Sequence, residues 1–407
     1  MKLAASGMLA RPLAAQNAKV RIGFIGVGAR GTGLLQGILV HPEVEVPVIC
    51  DIDTAALNRA LTIVEKARGR RPESFARGPV DYRRMLERAD FSAVIIATPQ
   101  ELHAQMAIDS MEAGKFVGSE VPACITLEEC RALVKTQRKT RTGYMMLENY
   151  CYTRHAMQVL NMARMGVFGE LTYAEGAYIH DVQDLRFTKA GKLTWRGENA
   201  RDHIGNLYPT HAIGPVCQWL GINRSDRLVS LAAMASKPAA TRAYAVRRFG
   251  KDSEAARINF QNGDSNNALI RTEQGRLIAV RYDTSSPRPH GMGQHALQGT
   301  NGAYECAFGQ HNLYLEGRSP KSKWEPIEKY QAEFDHPYWK TKGEEALKSG
   351  HGGGDYFVLS DFLQAVKSGE IPIDVCDAVT WTAIRPLSAA SIKAGGAPAA
   401  VPDFRRS

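Results

Sequence analysis

The feature that most constrains this chain is a glycine-rich turn between an apolar strand and a helix. Val20–Ile25 is a mostly apolar run of strand length, and Gly26-Val27-Gly28-Ala29-Arg30-Gly31 follows it directly. A second apolar strand ends at Asp51, 20 residues after Gly31. This layout is typical of a dinucleotide site: the glycines allow a tight turn, close approach of the pyrophosphate and close helix packing, and the acid holds the ribose. The pattern predicts NAD as the cofactor, while Arg30 leaves a contact with the 2′-phosphate of NADP open.

Strands and helices alternate from residue 20 to about 146, which predicts a doubly wound parallel sheet of the Rossmann type. Helices are expected near 54–67, 101–113 and 127–135, and strands at 91–97, 116–118 and 142–147. Ligands of such sheets lie at the carboxyl ends of the strands. We therefore expect the segments after the strands to line one cofactor crevice: Thr98-Pro99-Gln100-Glu101-Leu102-His103, Glu120-Val121 and Glu148-Asn149.

Beyond residue 147 the pattern changes. A helix is expected at 154–165, followed by longer, alternating strands at 171–180, 228–236, 243–249, 266–272, 276–283 and 302–307. This alternation predicts an open, mostly antiparallel sheet with one solvated face, separated by long loops at 182–207 and 284–300. The predicted fold class is α/β, with a Rossmann domain over 20–147 and a substrate-binding α+β domain over 148–407. The helical C-terminal part, 356–394, is expected to pack back on the first domain.

Composition excludes several classes of function. The chain has 407 residues and a formal net charge of +9, but the basic residues are scattered in short runs, so we expect no nucleic-acid partner. No apolar stretch approaches the roughly 18 residues that a membrane span needs. Seven cysteines without a CxxC pair are expected to be buried or free thiols. No HxH or HExxH spacing indicates a metal site.

Residues 1–19 form a separate leader segment. Lys2, the apolar stretch 3–9 and the small-residue site at 12–16 are similar to the back half of an export signal, whose charged front half is nearly absent. Two interpretations stay open: a shortened signal that directs the protein to the periplasm, or the leader of a cytoplasmic protein.

The order of these features resembles the Gfo/Idh/MocA oxidoreductases, in which Glu-Lys-Pro follows the Rossmann domain. The lysine helps hydride transfer in those enzymes, and Val121 of Glu120-Val121-Pro122 takes its place here. Within that superfamily the chain is similar to glycoside hydrolase family 109, whose known members are NAD-dependent α-N-acetylgalactosaminidases. The segments that carry this resemblance are Gly28-Ala29-Arg30-Gly31, Thr98 to His103, Glu148-Asn149-Tyr150, Gly166-Val167-Phe168-Gly169-Glu170, Trp195-Arg196, Asn206-Leu207-Tyr208-Pro209-Thr210-His211, Ser286-Pro287-Arg288-Pro289 and His351-Gly352-Gly353.

The resemblance implies a carbohydrate substrate and hydrolysis by a redox route. Hydride passes from C3 of the sugar to NAD, a base removes the C2 proton, the aglycone leaves C1, water adds and the hydride returns. His211 suits the proton transfers, and Tyr178 shares them or anchors the sugar. The expected substrate contacts are Arg196, Tyr208, Pro209, Thr210 and His290. We also expect a homo-oligomer.

The chain departs from the family pattern at two places. Gln100 and Leu102 occupy positions where the family often has tryptophans, and His290 occupies one where it tends to have a tyrosine that contacts the sugar. The identity of the sugar is therefore open. Two other functions also stay open: a plain NAD(P)-dependent sugar or inositol dehydrogenase, and a dinucleotide-binding sensor without catalysis.

Overall fold

The computed structural model describes residues 19–289 and 291–406, which form two β-sheets with packed helices. Apart from Lys19, the leader predicted over residues 1–19 lies outside the described residues. The predicted fold class is confirmed: a parallel Rossmann sheet is followed by an α+β unit with an open, mostly antiparallel sheet.

The first sheet is parallel and buried on both faces. Its strands are β1 Val20–Ile25, β2 Val44–Cys50, β3 Glu73–Phe75, β4 Ala93–Ile96, β5 Phe116–Ser119 and β6 Tyr144–Met146. Its helices are α1 Ala29–Ile38, α2 Thr54–Arg68, α3 Asp81–Leu86, α4 His103–Glu112 and α5 Leu127–Thr140. The six strands have the order β3-β2-β1-β4-β5-β6, so the direction of winding reverses between β1 and β4. Ligands of this fold bind at that reversal, beyond the carboxyl ends of the strands.

The second sheet is mixed. Its strands are β7 Leu171–Ile179, β8 Leu228–Ala235, β9 Asn266–Thr272, β10 Leu277–Asp283, β11 Gly291–Gly299, β12 Gly302–Ala307, β13 Gln310–Leu315, β14 Glu325–Pro326 and β15 Ala399–Ala400. They lie in the order β14-β13-β12-β11-β7-β10-β9-β8-β15. All neighbouring strands are antiparallel except β7 and β10, which are parallel.

The remaining helices follow β6. They are α6 Arg154–Arg164, α7 Trp195–Asp202, α8 Thr210–Trp219, α9 Ala240–Phe249, α10 Glu254–Arg257, α11 Gln331–Phe334, α12 Pro337–Ala346, α13 Gly354–Ser368, α14 Val375–Thr382 and α15 Ile384–Lys393. Helix α8 lies tightly against β7 at Gly176, where an added Cβ would be 1.9 Å from the carbonyl oxygen of Ala212. This close approach brings the first turn of α8 beside the end of β7.

Some predictions for this half of the chain were wrong. The stretch 243–249, predicted as a strand, belongs to helix α9, because Thr241 and Ala245 repeat at helical spacing and are both buried. The loops predicted at 182–207 and 284–300 contain helix α7 and the whole of strand β11. Strand β11 includes Gly291, Gly293 and Gly299, and glycines weaken a strand pattern in sequence.

Helix α13 packs against the Rossmann sheet although it lies more than 200 residues further along the chain. An added Cβ at Gly37 of α1 would be 2.7 Å from Leu359. The ring of Phe362 is fully buried and lies 5.7 Å from that of Phe116, between centroids. This packing brings the start of α13 to the side of the sheet where the glycine turn lies.

Three further observations apply to the described residues. Their helices are all too short or too polar to cross a bilayer. Within the same ranges, no three His, Cys, Asp or Glu side chains are grouped as a metal site would require. The seven cysteines are buried, free thiols.

Candidate active site

The glycine turn has the geometry of a phosphate cradle. Gly26 has φ +86°, and an added Cβ there would be 2.8 Å from the carbonyl carbon of Ala97. At Gly31 an added Cβ would be 2.2 Å from the carbonyl oxygen of Gly26, so only glycine lets α1 begin this close to the turn. Gly28 differs, because in the part of the chain that the structure describes no heavy atom beyond its own chain neighbours and the local helix backbone lies within 4 Å of its added Cβ. Gly28 also provides no side-chain cap for α1, which leaves the first-turn amides to an anion.

Asp51 faces this turn from the end of β2. Its carboxylate accepts hydrogen bonds from the amides of Val27, at 2.6 Å, and Asp53, at 2.8 Å. An acid at this position is the expected partner of the ribose hydroxyls in NAD.

Arg30, at the first turn of α1, is engaged by two carboxylates. Its Nε donates to Glu120 at 2.6 Å, and its Nη1 and Nη2 donate to Asp355 at 2.8 and 2.9 Å. Burial alone would lower the pKa of Arg30, but the charges of Glu120 and Asp355 outweigh burial and raise it. The positive charge of the guanidinium is therefore already balanced by two carboxylates of the protein, which argues against its use for the 2′-phosphate of NADP.

The side chains of the segment after β4 differ in burial: some lie in the interior and others are exposed. The side chain of Gln100 is buried and accepts a hydrogen bond from Arg385 at 2.8 Å, whereas Glu101 and Leu102 are exposed. Both ring nitrogens of His103 lie 2.8 Å from backbone carbonyl oxygens, those of Thr98 and Pro122.

His103 therefore ties the loop after β4 to the loop after β5 rather than projecting into the crevice. Thr98 and Pro99 lead from β4 into this segment, and Pro99 precedes the 3₁₀ turn Gln100–Leu102. Val121 is buried and precedes Pro122 through a cis peptide bond.

Asn149 carries an unused hydrogen-bonding group. Its Nδ2 donates to Asp355 at 2.7 Å, whereas its Oδ1 is buried and has no hydrogen-bond partner among the described residues. A buried polar atom of this kind usually has a partner from a ligand or water. Together with the open space at Gly28 and the uncapped start of α1, this atom fits a crevice built for a bound dinucleotide.

Next to this crevice, His211 lies in the first turn of α8 and is paired with an acid. Its Nδ1 is 2.7 Å from Oε1 of Glu148, whose side chain is fully buried. Burial alone would raise the pKa of Glu148, but the charge and hydrogen bond of His211 outweigh burial and lower it. The Glu148 carboxylate therefore stays ionised at neutral pH and fixes a proton on Nδ1, leaving Nε2 for chemistry.

Aromatic side chains surround the His211 ring. Tyr150 stacks on it at 4.3 Å, and the rings of Tyr208 and Tyr178 lie at 4.9 and 5.5 Å, between centroids. Burial raises the pKa of both the Tyr178 and Tyr208 phenols, so both stay protonated at neutral pH. The structure thus brings together the two predicted catalytic residues, His211 and Tyr178.

Three of the other predicted substrate contacts lie at the starts of helices α7 and α8. Arg196, on α7, places its guanidinium 4.1 Å from the centroid of the Trp195 ring. Pro209 and Thr210 start helix α8, and both are buried. His290 lies outside the described residues.

Residues 152–407 match the family model for the C-terminal domain of glycosyl hydrolase 109, and residues 20–147 match the NAD-binding Rossmann fold of the Gfo/Idh/MocA oxidoreductase family. A glycosyl hydrolase family 109 protein of Stenotrophomonas maltophilia (strain K279a) is 39% identical over 424 residues, 99% of this chain and 93% of that protein. The chain belongs to glycoside hydrolase family 109.

Another family 109 relative, from Shewanella sp. (strain W3-18-1), is 39% identical over 393 residues, 95% of this chain and 85% of that protein. A solved levoglucosan dehydrogenase in complex with NADH and L-sorbose has a TM-score of 0.76 at 20% identity, covering 95% of this chain and 99% of that one. At this identity the likeness shows the fold alone. The predicted NAD-binding Rossmann domain of this family 109 chain is confirmed.

Sequence reasoning missed three partners in the family 109 site. Glu148 was expected at the crevice and Tyr150 only as part of the family-like segment Glu148-Asn149-Tyr150, and neither was expected as a contact of His211. Asp355 was not expected at all, because it lies 325 residues from Arg30 and no local motif marks it. The preceding His351-Gly352-Gly353 run was the available signal.

We expect Asp51→Ala to weaken NAD binding about tenfold or more, because a lost hydrogen bond to a charged group costs about 1.5–3 kcal/mol. Calorimetric titration of NAD into cofactor-free protein measures the change. Asp53→Ala is the matched control: Asp53 caps α2 by accepting from the amides of Ala55 and Ala56. An equal loss of affinity in both variants would show that Asp51 has no specific role.

Proposed function

We propose that this protein is a glycosidase that removes terminal N-acetylgalactosamine-type sugars by an NAD-dependent redox route. The observation that carries the proposal is the buried pair of Glu148 and His211, which lies beside the cofactor crevice and within a ring of tyrosines. Such a pair can transfer protons without a second carboxylate across the scissile bond.

Val121 supports a glycosidase over a plain dehydrogenase. It occupies the position where the dehydrogenases that this chain resembles carry a lysine for proton transfer, and its buried apolar side chain cannot move a proton. His211 is then the best-placed titratable side chain for that work. The dehydrogenase alternative is favoured by the fold alone, through the levoglucosan dehydrogenase likeness.

Within the proposal, Gly28, Asp51 and Asn149 would hold NAD, and the bound cofactor would supply one chemistry, reversible hydride transfer at C3 of the sugar. The oxidised C3 makes the C2 proton acidic, and His211 removes that proton through Nε2 while Glu148 stabilises the imidazolium. Tyr178 stays protonated because burial raises its pKa, so it can donate a proton or a hydrogen bond to a sugar oxygen.

The remaining substrate contacts position the sugar. The Tyr208 ring lies 5.0 Å from the Tyr178 ring, between centroids, and the charge of Arg196 acts on the Tyr178 phenol by lowering its pKa against the larger effect of burial. Both Arg196 and Tyr208 can donate hydrogen bonds to sugar hydroxyl or N-acetyl oxygens. Pro209, Thr210 and His290 belong to the same proposal. The proposal also includes a cofactor-binding domain over 20–147, a substrate-binding domain over 148–407 and assembly as a homo-oligomer.

A single preparation tests the function. We expect the purified protein to retain NAD at near-stoichiometric amounts and to release nitrophenol from nitrophenyl α-N-acetylgalactosaminide without added NAD. Nitrophenyl α-galactoside, which lacks the N-acetyl group, is the control substrate for the contribution of that group. Net NADH formation from free sugars, without aglycone release, would identify a dehydrogenase instead. Retained NAD with neither activity would identify a sensor.

A further inference from the structure

Asp355 lies at the junction of the glycine turn and the substrate half of the chain. Its Oδ1 accepts hydrogen bonds from Arg30 at 2.9 Å and Asn149 at 2.7 Å. Its Oδ2 accepts one from Arg30 at 2.8 Å and lies 2.9 Å from Nδ1 of His351. One buried carboxylate thus joins the start of α1, the loop after β6 and the segment before α13.

The backbone around Asp355 is built to bring it there. His351, Gly352 and Gly353 all have positive φ, at 52°, 60° and 95°, and turn the chain sharply before α13. At Gly354 an added Cβ would be 2.4 Å from the carbonyl oxygen of Asn149, so the helix begins in direct contact with the crevice. Gly352 and Gly353, which the sequence marked as part of a motif, make the turn that leads into this close approach.

The charges at this junction are tightly matched. Arg30 bridges Asp355 and Glu120; both carboxylates are buried, whereas the guanidinium between them is half-buried. Burial alone would raise the pKa of Asp355, but the hydrogen bonds of His351 and Arg30 outweigh burial and hold it well below its ordinary range. Hydrogen bonds to a charged, buried group of this kind are the strong ones.

We propose that Asp355 is a positioning residue for the cofactor: it fixes Arg30 and Asn149 at the crevice, so that NAD remains bound from one turnover to the next. This proposal deepens the proposed function and rests on it, because a redox-neutral cycle fails if reduced cofactor escapes before the hydride returns. Asp355 itself acts only through its neighbours. Its removal leaves the chemistry of His211 and Glu148 in place.

The first test measures NAD dissociation without any sugar. In Asp355→Asn, an amide nitrogen replaces one of the two carboxylate oxygens. This nitrogen is a hydrogen-bond donor and faces the donors of Arg30 and of either Asn149 or His351. We expect NAD to leave this variant about tenfold or more faster than the parent, as when one partner of a buried charge pair is removed. Loss of bound NAD after rapid gel filtration gives the rate.

The matched control is Asp226→Asn. Asp226 is also a buried carboxylate paired with an arginine, Arg276 at 3.3 Å, but it lies beyond the far end of α8 from His211. We expect this variant to retain NAD like the parent. Parent-like retention in Asp355→Asn would overturn the proposal, and so would equally fast loss in Asp226→Asn.

Two further variants separate positioning from a general loss of structure. Because Asp355 acts through Arg30, the effects of Asp355→Asn and Arg30→Gln on NAD dissociation should be less than additive in the double variant; additive effects would contradict the proposal.

If Asp355→Asn does not fold, Asp355→Glu keeps the charge and moves the carboxylate by one methylene. Faster NAD loss from that variant supports the proposal, and parent-like retention overturns it.

Added NAD distinguishes this proposal from the proposed function. We expect excess NAD to restore most of the aglycone release of Asp355→Asn, because the side chains that move protons are intact. Failure of added NAD to restore release would contradict a role in retention alone. If the parent protein releases no aglycone, the proposed function fails, while the NAD dissociation rates still decide the role of Asp355.

Discussion

His211→Ala is expected to lower aglycone release by about 10²–10⁴-fold, which is the usual contribution of a general acid–base group. NAD binding should stay within a fewfold of the parent. The reason is geometric: His211 lies on α8 beside Tyr178 and Tyr150, whereas the glycine turn lies at the start of α1. Initial rates on a nitrophenyl glycoside and the NAD content of the same preparation measure both effects.

His155→Ala is the control for this substitution. His155 is a partly exposed histidine of α6 that stacks on His311 at 3.5 Å, away from the Glu148 pair. We expect it to keep nearly parental activity. A His211→Ala enzyme within a fewfold of the parent would refute the assignment of His211, and a loss confined to NAD binding would move His211 to the cofactor site.

Glu148→Gln is expected to lower aglycone release by about 10²-fold, the low end of the range for acid–base catalysis. Glutamine can still accept the hydrogen bond from Nδ1 of His211, but it carries no charge to stabilise the imidazolium. If the amide nitrogen faces the ring instead, His211 is held in the opposite tautomer. Either arrangement weakens proton transfer while the neighbouring rings stay packed.

The pH profile separates this effect from a loss of folding. The pKa of Glu148 lies below its ordinary value, so the pair with His211 is complete at neutral pH and is lost only as the pH falls through that lowered pKa. We expect Glu148→Gln to be less active across the neutral range, with an altered pH dependence and parent-like thermal stability at pH 7 to within a few degrees. Parental activity and an unchanged profile would remove Glu148 from the mechanism.

Local patterns predicted the parts of the fold that depend on neighbours in sequence. The strand, the glycines and Asp51 lie within a short stretch, and each has a steric or hydrogen-bonding reason to be there. Helix α9 was misread as a strand because the short apolar run at 243–246 is compatible with either element, and only the burial of Thr241 and Ala245 decides between them.

The residues of the candidate site were likewise predictable only where a local motif or the family resemblance marked them. Family resemblance marked His211 and Tyr178, and the structure places their rings 5.5 Å apart, between centroids. The acid that orients His211 comes from the loop after β6, 63 residues earlier in the chain, and the carboxylate on Arg30 comes from α13. Such long-range pairs depend on how the two sheets pack, which no local periodicity encodes.

The most direct test of the central claim is the fate of the C2 proton of the sugar. With the hydrolysis run in heavy water, the redox route predicts that the released sugar carries deuterium at C2, because His211 exchanges the abstracted proton with solvent. A double displacement by two carboxylates never breaks the C2–H bond. NMR or mass spectrometry of the product reads the outcome. Deuterium at C2 of the released sugar is the result we predict, and a product with C2 still fully protonated would contradict the redox mechanism even if the protein proved to be a glycosidase.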